Sequence, residues 1–286
     1  MIPPRFRFPL LTLGSVFLLA ASARAQESAE IILATTTSTY DSGLLDSIVP
    51  LFERESSVRV KVIAVGTGAA LAMARRGNAD LVLVHSPERE QEYVRSGDLI
   101  EGRLVMHNDF VLAGPMDDPA GVRSCHDLVC AMQAIARNGI FVSRGDRSGT
   151  HDMELSLWRR AGFAADSVKN RVETGQGMGA TLHVAGQRRG YTLSDRGTLL
   201  AHPAGRVLRV VFEGDPALLN VYHVYVVNPA RHPAIESRGA RAFAAFLVAE
   251  SAQRAIGEFG RERYGRSLFT PDAGRDSTRL HEAVNR

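Results

Sequence analysis

Five turns in this chain gather hydroxyls, glycines and arginine where an apolar, strand-like run gives way to a helix-like one. Thr35-Thr36-Thr37-Ser38-Thr39 follows residues 30–34, and Gly66-Thr67-Gly68 follows residues 58–65. Arg144-Gly145-Asp146-Arg147-Ser148-Gly149-Thr150 follows residues 140–143. Gly175-Gln176-Gly177-Met178-Gly179 opens one helical stretch, and Thr192-Leu193-Ser194-Asp195-Arg196 opens another. A helix start offers backbone N–H groups with no partner and the positive end of its dipole. Hydroxyls add donors, and glycines let a ligand come close to the backbone. Such residues are singly ordinary N-caps and turns. Several in one chain, almost all donors and with Arg144 among them, suit the binding of an oxyanion.

Other chemistries fit less well. Gly145-Asp146-Arg147-Ser148-Gly149 sets its serine one place late for a G-x-S-x-G nucleophile elbow. Gly66-Thr67-Gly68 lacks the lysine of a P-loop. His151, Asp152 and Glu154 lack a third metal ligand at useful spacing. They read as the solvated first turn of a helix, whose dipole favours acids there. Arg75-Arg76 and Arg188-Arg189 read as exposed faces.

The elements that must position these turns alternate between short β-type runs and amphipathic helical stretches from residue 30 to residue 97. That order predicts an α/β fold, a mostly parallel sheet covered by helices, whose turns cluster at the carboxyl edge where ligands bind. Residues 44–52 carry an apolar helical stripe, and Pro50 is expected to kink or restart that helix. The chain is too long for one small α/β layer and suits two lobes meeting at a cleft. The residues after Tyr264 read as a polar, loosely held tail.

A 45% hydrophobic and 23% charged composition excludes a disordered chain and a multi-span membrane protein. Residues 1–25 have the layout of a secretory signal peptide: Arg5 and Arg7, an apolar run over residues 10–21, and Ala23-Arg24-Ala25 before Gln26. The apolar run is short of the roughly 20 residues that span a bilayer. Removing Arg5, Arg7 and Arg24 from the 34 basic residues leaves no excess over the 31 acidic ones. A neutral exported chain is not expected to take nucleic acid as its partner. Cys125 and Cys130 are disulfide candidates, since an oxidising compartment permits a small local bridge. Two free thiols are the next reading.

Taken together the turns closely resemble those of the periplasmic tungstate-binding (TupA) family, type II solute-binding proteins of ABC importers. The matching stretches include Leu33-Ala34-Thr35-Thr36-Thr37-Ser38, Val65-Gly66-Thr67-Gly68-Ala69-Ala70 and Asp80-Leu81-Val82-Leu83-Val84-His85-Ser86-Pro87. Asn108-Asp109-Phe110, Ser143-Arg144-Gly145-Asp146 through Thr150-His151, and Tyr191-Thr192-Leu193-Ser194-Asp195-Arg196 continue them. The resemblance implies a periplasmic-binding-protein-like fold with a ligand cleft between lobes. Residues 27–112 and 222–272 would form the first lobe, residues 113–221 the second, and residues 273–286 a polar tail. It implies a periplasmic, non-enzymatic receptor, without cofactor and expected as a monomer, that captures tungstate and hands it to a membrane permease. Thr36, Thr37, Ser38, Thr67, Gly68, Arg144, Ser148, Gly149, Thr150 and, more weakly, Ser194 match the family's oxyanion donors. Molybdate and phosphate binding are the alternatives within the fold. The phosphate-binding relatives place a carboxylate after the third strand, where this chain has His85, and a protonated anion needs such an acceptor. An exported serine hydrolase using Ser148 or His151 is the rival of another class.

Overall fold

The computed structural model describes residues 29–275; the signal-peptide layout and residues 276–286 lie outside them. β1 (Ala29–Thr36), β2 (Val58–Val65) and β3 (Leu81–Val84) alternate with α1 (Thr37–Asp41), α2 (Leu44–Glu55), α3 (Thr67–Arg75) and α4 (Pro87–Arg95). β4 (Leu99–Pro115) then crosses into a second set of elements. That set holds α5 (Leu128–Asn138), β5 (Phe141–Ser143), α6 (Gly149–Arg160), β6 (Arg171–Glu173) and α7 (Met178–Arg188). β7 (Thr192–Asp195), α8 (Arg196–Ala201) and β8 (Leu208–Phe212) complete it. β9 (Leu219–Val227) returns to the first set, which closes with α9 (Ser237–Leu247), α10 (Glu250–Glu258), α11 (Arg261–Tyr264) and β10 (Thr270–Pro271).

The large sheet runs β10-β4-β9-β3-β1-β2, with β7 and β8 also on β4. β1 pairs in parallel with β2 and β3, and β5 with β6; β4 and β9 meet all their partners antiparallel. The sheet is therefore mixed, and less of it is parallel than the alternation of elements predicts. The reason is that β4 and β9 are crossing strands, which run side by side in opposite directions. Their register ends at Asp109↔Leu219, and the next residue of β4, Phe110, pairs with Asp195 of β7. The chain passes from one half of the molecule to the other at that point.

Each half has its own core on both faces of its strands. In the first, Leu81 and Leu83 of β3 face α2, α9 and α10, while Val82 and Val84 face α3. A continuous apolar run on β3 thus reflects a strand buried on both faces. In the second, Phe110 and Leu112 of β4 face α5 and α6, and Val111 and Ala113 face α7. Two expectations are corrected. α2 is not restarted at Pro50 but runs through it as one helix, because Pro50 and Asp46 both lie on its exposed face, where water can serve the carbonyl that loses its partner. The described part of the segment after Tyr264, residues 265–275, is not loose: Leu268 and Phe269 are buried in the first core and β10 pairs with β4. Cys125 and Cys130 form a disulfide beside the start of α5, with Cα atoms 5.5 Å apart.

Candidate functional site

On the first-lobe side, Thr36 ends β1 and caps α1, its hydroxyl oxygen accepting from Thr39 N–H at 3.2 Å. The same oxygen lies 2.6 Å from Thr39 Oγ1, 3.2 Å from Ser38 Oγ and 3.0 Å from Nε2 of His85. His85 follows β3, and its Nδ1 is 2.8 Å from Oδ1 of Asn220 on β9. Asn220 donates its amide hydrogens to Asn108 Oδ1 at 2.7 Å and to the Tyr222 hydroxyl at 3.0 Å.

On the second-lobe side, Arg144 follows β5 and is almost wholly buried. Its Nε donates to Asp146 Oδ2 at 3.1 Å, and Nη1 reaches Thr150 Oγ1 at 3.5 Å. Gly145 turns the chain at φ +62°, where a Cβ would stand 2.8 Å from Glu173 Cβ. Beneath the turn, Glu154 accepts from Ser143 Oγ and, at 3.1 Å, from Arg144 N–H. Ser148 caps α6, accepting from His151 N–H at 3.3 Å, and its own N–H donates to Asp146 Oδ1 at 3.1 Å.

The two sides touch. Gly149, the first residue of α6, donates its N–H to Thr67 Oγ1 at the start of α3, at 3.2 Å. A Cβ on Gly149 would lie 3.0 Å from that hydroxyl and 3.1 Å from His85 Cε1. Arg89 of α4 lies over Gly68, where a Cβ would be 3.0 Å from its Nη1, and donates from Nη2 to Asp152 Oδ1 of α6 at 2.7 Å. Ser86 Oγ also reaches Asp152 Oδ2, at 3.4 Å. The halves are closed upon each other, and Thr36, Ser38, Thr67, Arg144, Ser148 and Thr150 are each no more than 4% exposed.

Burial sets the protonation of the groups around this point. It pushes His85 down to about 4, with the nearby Arg144 charge in the same direction and the Asn220 hydrogen bond opposing. It pushes Glu154 up to about 7, against the donors Ser143 and Arg144 N–H. It also raises Asp195, the N-cap of α8, although Thr198 and Arg144 pull the other way. His85 is thus a neutral imidazole at pH 7.

The structure brings Thr36, Ser38, Thr67, Arg144, Ser148, Gly149 and Thr150 together, with Gly68 at their edge. Two of the expected residues make none of these contacts. Thr37 is only half-buried and joins none of the hydrogen bonds among the described residues of the cluster. Ser194 is buried on β7, its hydroxyl donating to the Asp195 carbonyl at 2.9 Å. Residue reading missed His85, Asn220 and Glu154. His85 was within reach, since it too ends a strand at the carboxyl edge. Glu154 was misread as solvated: it is fully buried, and Asp152 is held by Arg89, so only the position of these acids on α6 was legible. His151 is not a base for Ser148. Its Nδ1 accepts from Arg147 N–H at 3.0 Å and its Nε2 faces the Arg171 guanidinium at 3.3 Å.

The chain is similar to known proteins in sequence and fold. A family model described as a PBP superfamily domain matches residues 21–251. The tungstate-binding protein TupA of Peptoclostridium acidaminophilum is 45% identical over 88% of this chain and 89% of its own. Among solved structures, the tungstate-binding protein TupA of Desulfovibrio alaskensis G20 is 40% identical, with 86% of this chain and 99% of that one aligned at a TM-score of 0.75. A structure described as the tungstate ABC transporter from Geobacter sulfurreducens is 39% identical, covering 80% of this chain and 98% of its own, at a TM-score of 0.74. The chain belongs to the PBP superfamily and, within it, to the TupA family.

Proposed function

We propose that this protein is the periplasmic solute-binding component of an ABC importer, that it captures tungstate between its lobes, and that it delivers the anion to a membrane permease without chemical change. The observation that carries this reading is the meeting of Thr36, Ser38, Thr67, Arg144, Ser148, Gly149 and Thr150, from turns of both halves, in one buried place. Their hydroxyls, N–H groups and guanidinium are what a fully deprotonated tetrahedral dianion needs. The names of the relatives supply the anion. Two readings of the fold accompany it. The lobes comprise residues 29–109 with 219–272 and residues 110–218, a few residues from the expected boundaries at 112 and 222, and they swing about the crossing strands near Asp109 and Leu219. The protein acts as a monomer, with no role for nucleic acid.

The energy is adequate. A hydrogen bond to a charged group contributes about 1.5–3 kcal/mol net, so about six to eight of them supply roughly 9–24 kcal/mol, most of that range lying above the 12 kcal/mol or so of a nanomolar complex. The excess is available to order the turns and close the lobes. A hydrolase reading finds no support in the way His151 is engaged.

Thermal unfolding of the purified protein with tungstate, molybdate, sulfate, phosphate and chromate tests the proposal. A ligand at 100 times its dissociation constant adds about 2.7 kcal/mol of stability. Tungstate is expected to raise the midpoint most, with molybdate next. A protein stabilised only by phosphate, or by none of the five, overturns the reading.

A further inference from the structure

We propose that His85 is a positioning residue that sets the direction of the first lobe's hydroxyl chain, so that Ser38 rather than Thr36 turns its proton to the bound oxyanion. The inference rests on the oxyanion reading for its ligand, but the chain itself is a property of the empty protein.

The direction follows from which atoms carry hydrogens. Asn220 donates both amide hydrogens, to Asn108 Oδ1 and to the Tyr222 hydroxyl, so the oxygen of that amide faces His85. An amide oxygen can only accept; Nδ1 of His85 therefore carries the ring hydrogen. Burial keeps the ring neutral, and Nε2 is left as a bare acceptor.

Two hydroxyls reach that acceptor: Thr36 at 3.0 Å and Ser38 at 3.4 Å. Thr36 is the nearer and gives its proton to Nε2. The two lone pairs of Thr36 Oγ1 are then filled by Thr39, whose N–H stands at 3.2 Å and whose hydroxyl stands at 2.6 Å. Each of these three groups is committed within the protein. Ser38 is the odd one out: among the described residues its hydroxyl has only the longer contacts of 3.2 Å to Thr36 and 3.4 Å to His85. Its hydroxyl can turn to a ligand without leaving a buried partner unsatisfied, whereas turning Thr36 would strand Nε2.

The imidazole also faces the second lobe, where a Cβ on Gly149 would stand 3.1 Å from its Cε1, so the ring that orients the hydroxyls lies at the closed seam. A protonated ring in that place would donate from Nε2, turn Thr36 round and add a charge beside Arg144.

Nitrogen-15 spectra of the histidine-labelled protein at pH 7 test this, with His85 assigned by its loss in His85→Gln. The expected spectrum has a pyrrole-type Nδ1 and a pyridine-type Nε2, both empty and with tungstate bound. The opposite tautomer, or an imidazolium in either state, overturns the proposal. Calorimetry adds a second reading. Gln can present an oxygen where Nε2 stands, so His85→Gln is expected to keep tungstate affinity within about threefold, while His85→Phe loses tenfold or more, the equivalent of one charge-assisted hydrogen bond. Ser38→Ala is expected to lose a similar factor. Equal losses in His85→Gln and His85→Phe, or a Ser38→Ala variant that binds as tightly as the unaltered protein, also overturn it. Should His85→Phe fail to fold, the spectra and Ser38→Ala still decide. If the unaltered protein binds neither tungstate nor molybdate, the oxyanion reading fails alone, because the ligand-free spectrum still fixes the tautomer.

Discussion

The two faces of the closed seam are organised by different physics. The first-lobe face is neutral: Thr36, Ser38 and Thr39 lean on one another and on an uncharged His85. The second-lobe face is ionic: Arg144 is clamped by Asp146, and its backbone rests on the buried Glu154. A hydroxyl face is ordered by the direction of its hydrogen bonds, and losing one donor costs one bond. An ionic face is ordered by charge, and losing its cation leaves Asp146 and any bound dianion without a counter-ion. The lesson is that the second lobe should dominate affinity while the first refines it.

Arg144→Ala is the most direct way to break that contrast. At about 4 Å and an effective dielectric near 20, one charge pair is worth roughly 4 kcal/mol, so tungstate affinity is expected to fall about a thousandfold. Arg75, exposed and paired with Glu92 and Asp98, is the matched control and should change nothing. Calorimetry showing equal affinities for both variants would remove Arg144 from the site.

The contrast extends to pH, and here the two faces pull in opposite directions. His85 has a folded value of about 4 against an ordinary 6.5, so the unfolded chain binds its proton first as the solution is acidified. Its contribution is present above pH 6.5 and is lost as pH falls towards 4. Glu154 has a folded value of about 7 against an ordinary 4.5, so the folded protein keeps a proton that the unfolded chain has released. Its contribution is complete below pH 4.5 and is lost as pH rises towards 7. Each shift corresponds to roughly 3 kcal/mol. Denaturant unfolding across pH 4–8 is therefore expected to show His85→Gln losing part of the acid-side decline and Glu154→Gln losing part of the decline towards neutrality. If both variants keep the pH profile of the unaltered protein, the burial argument fails for both faces.

What the sequence disclosed of these faces depended on how local the cause was. Thr36, Thr67, Ser148 and Gly149 announce themselves because N-caps and tight turns are properties of a few adjacent residues. The two-lobe α/β fold was legible in the alternation of strand and helix patterns, but not the antiparallel share of the sheet, because nothing local marks β4 and β9 as crossing strands. His85 acquires its role from Asn220, 135 positions away on β9. Glu154 looked like an exposed first-turn acid because sequence alone does not show α6 packing over β5. Ser194 shares a motif with Asp195 and Arg196, yet alternation on β7 turns its hydroxyl to the backbone while Arg196 grips Asp109 of the crossing strand.

Gly149→Ala tests the seam without touching a charge. The added methyl would stand 3.0 Å from Thr67 Oγ1 and 3.1 Å from His85, closer than carbon normally approaches either. Overpacking of this kind costs about 1–3 kcal/mol. Since it bears mainly on the closed form, it should appear as a tenfold to hundredfold loss of tungstate affinity with little change in the stability of the empty, open protein. Unchanged affinity would mean that the lobes of the bound protein stand further apart than the closed structure places them.

Arg89→Ala should have the smallest effect. Arg89 and Asp152 join α4 to α6 at the rim of the seam, and their side chains are 37% and 25% exposed. Partly exposed pairs contribute about 0.2–1 kcal/mol, and this pair exists only when the lobes are closed. Its loss should therefore raise the rate of tungstate release by no more than about fivefold and leave the rate of capture nearly unchanged. Raised salt should shrink the difference, since a rim pair is screened far more than the buried Arg144. Exchanging the charges, with Arg89→Asp and Asp152→Arg together, should restore slow release if the pair acts as a clasp. Stopped-flow release that is equally fast in the single and the exchanged variants would show that Arg89 serves Gly68 and its turn instead, and that the lobes are held by the anion alone.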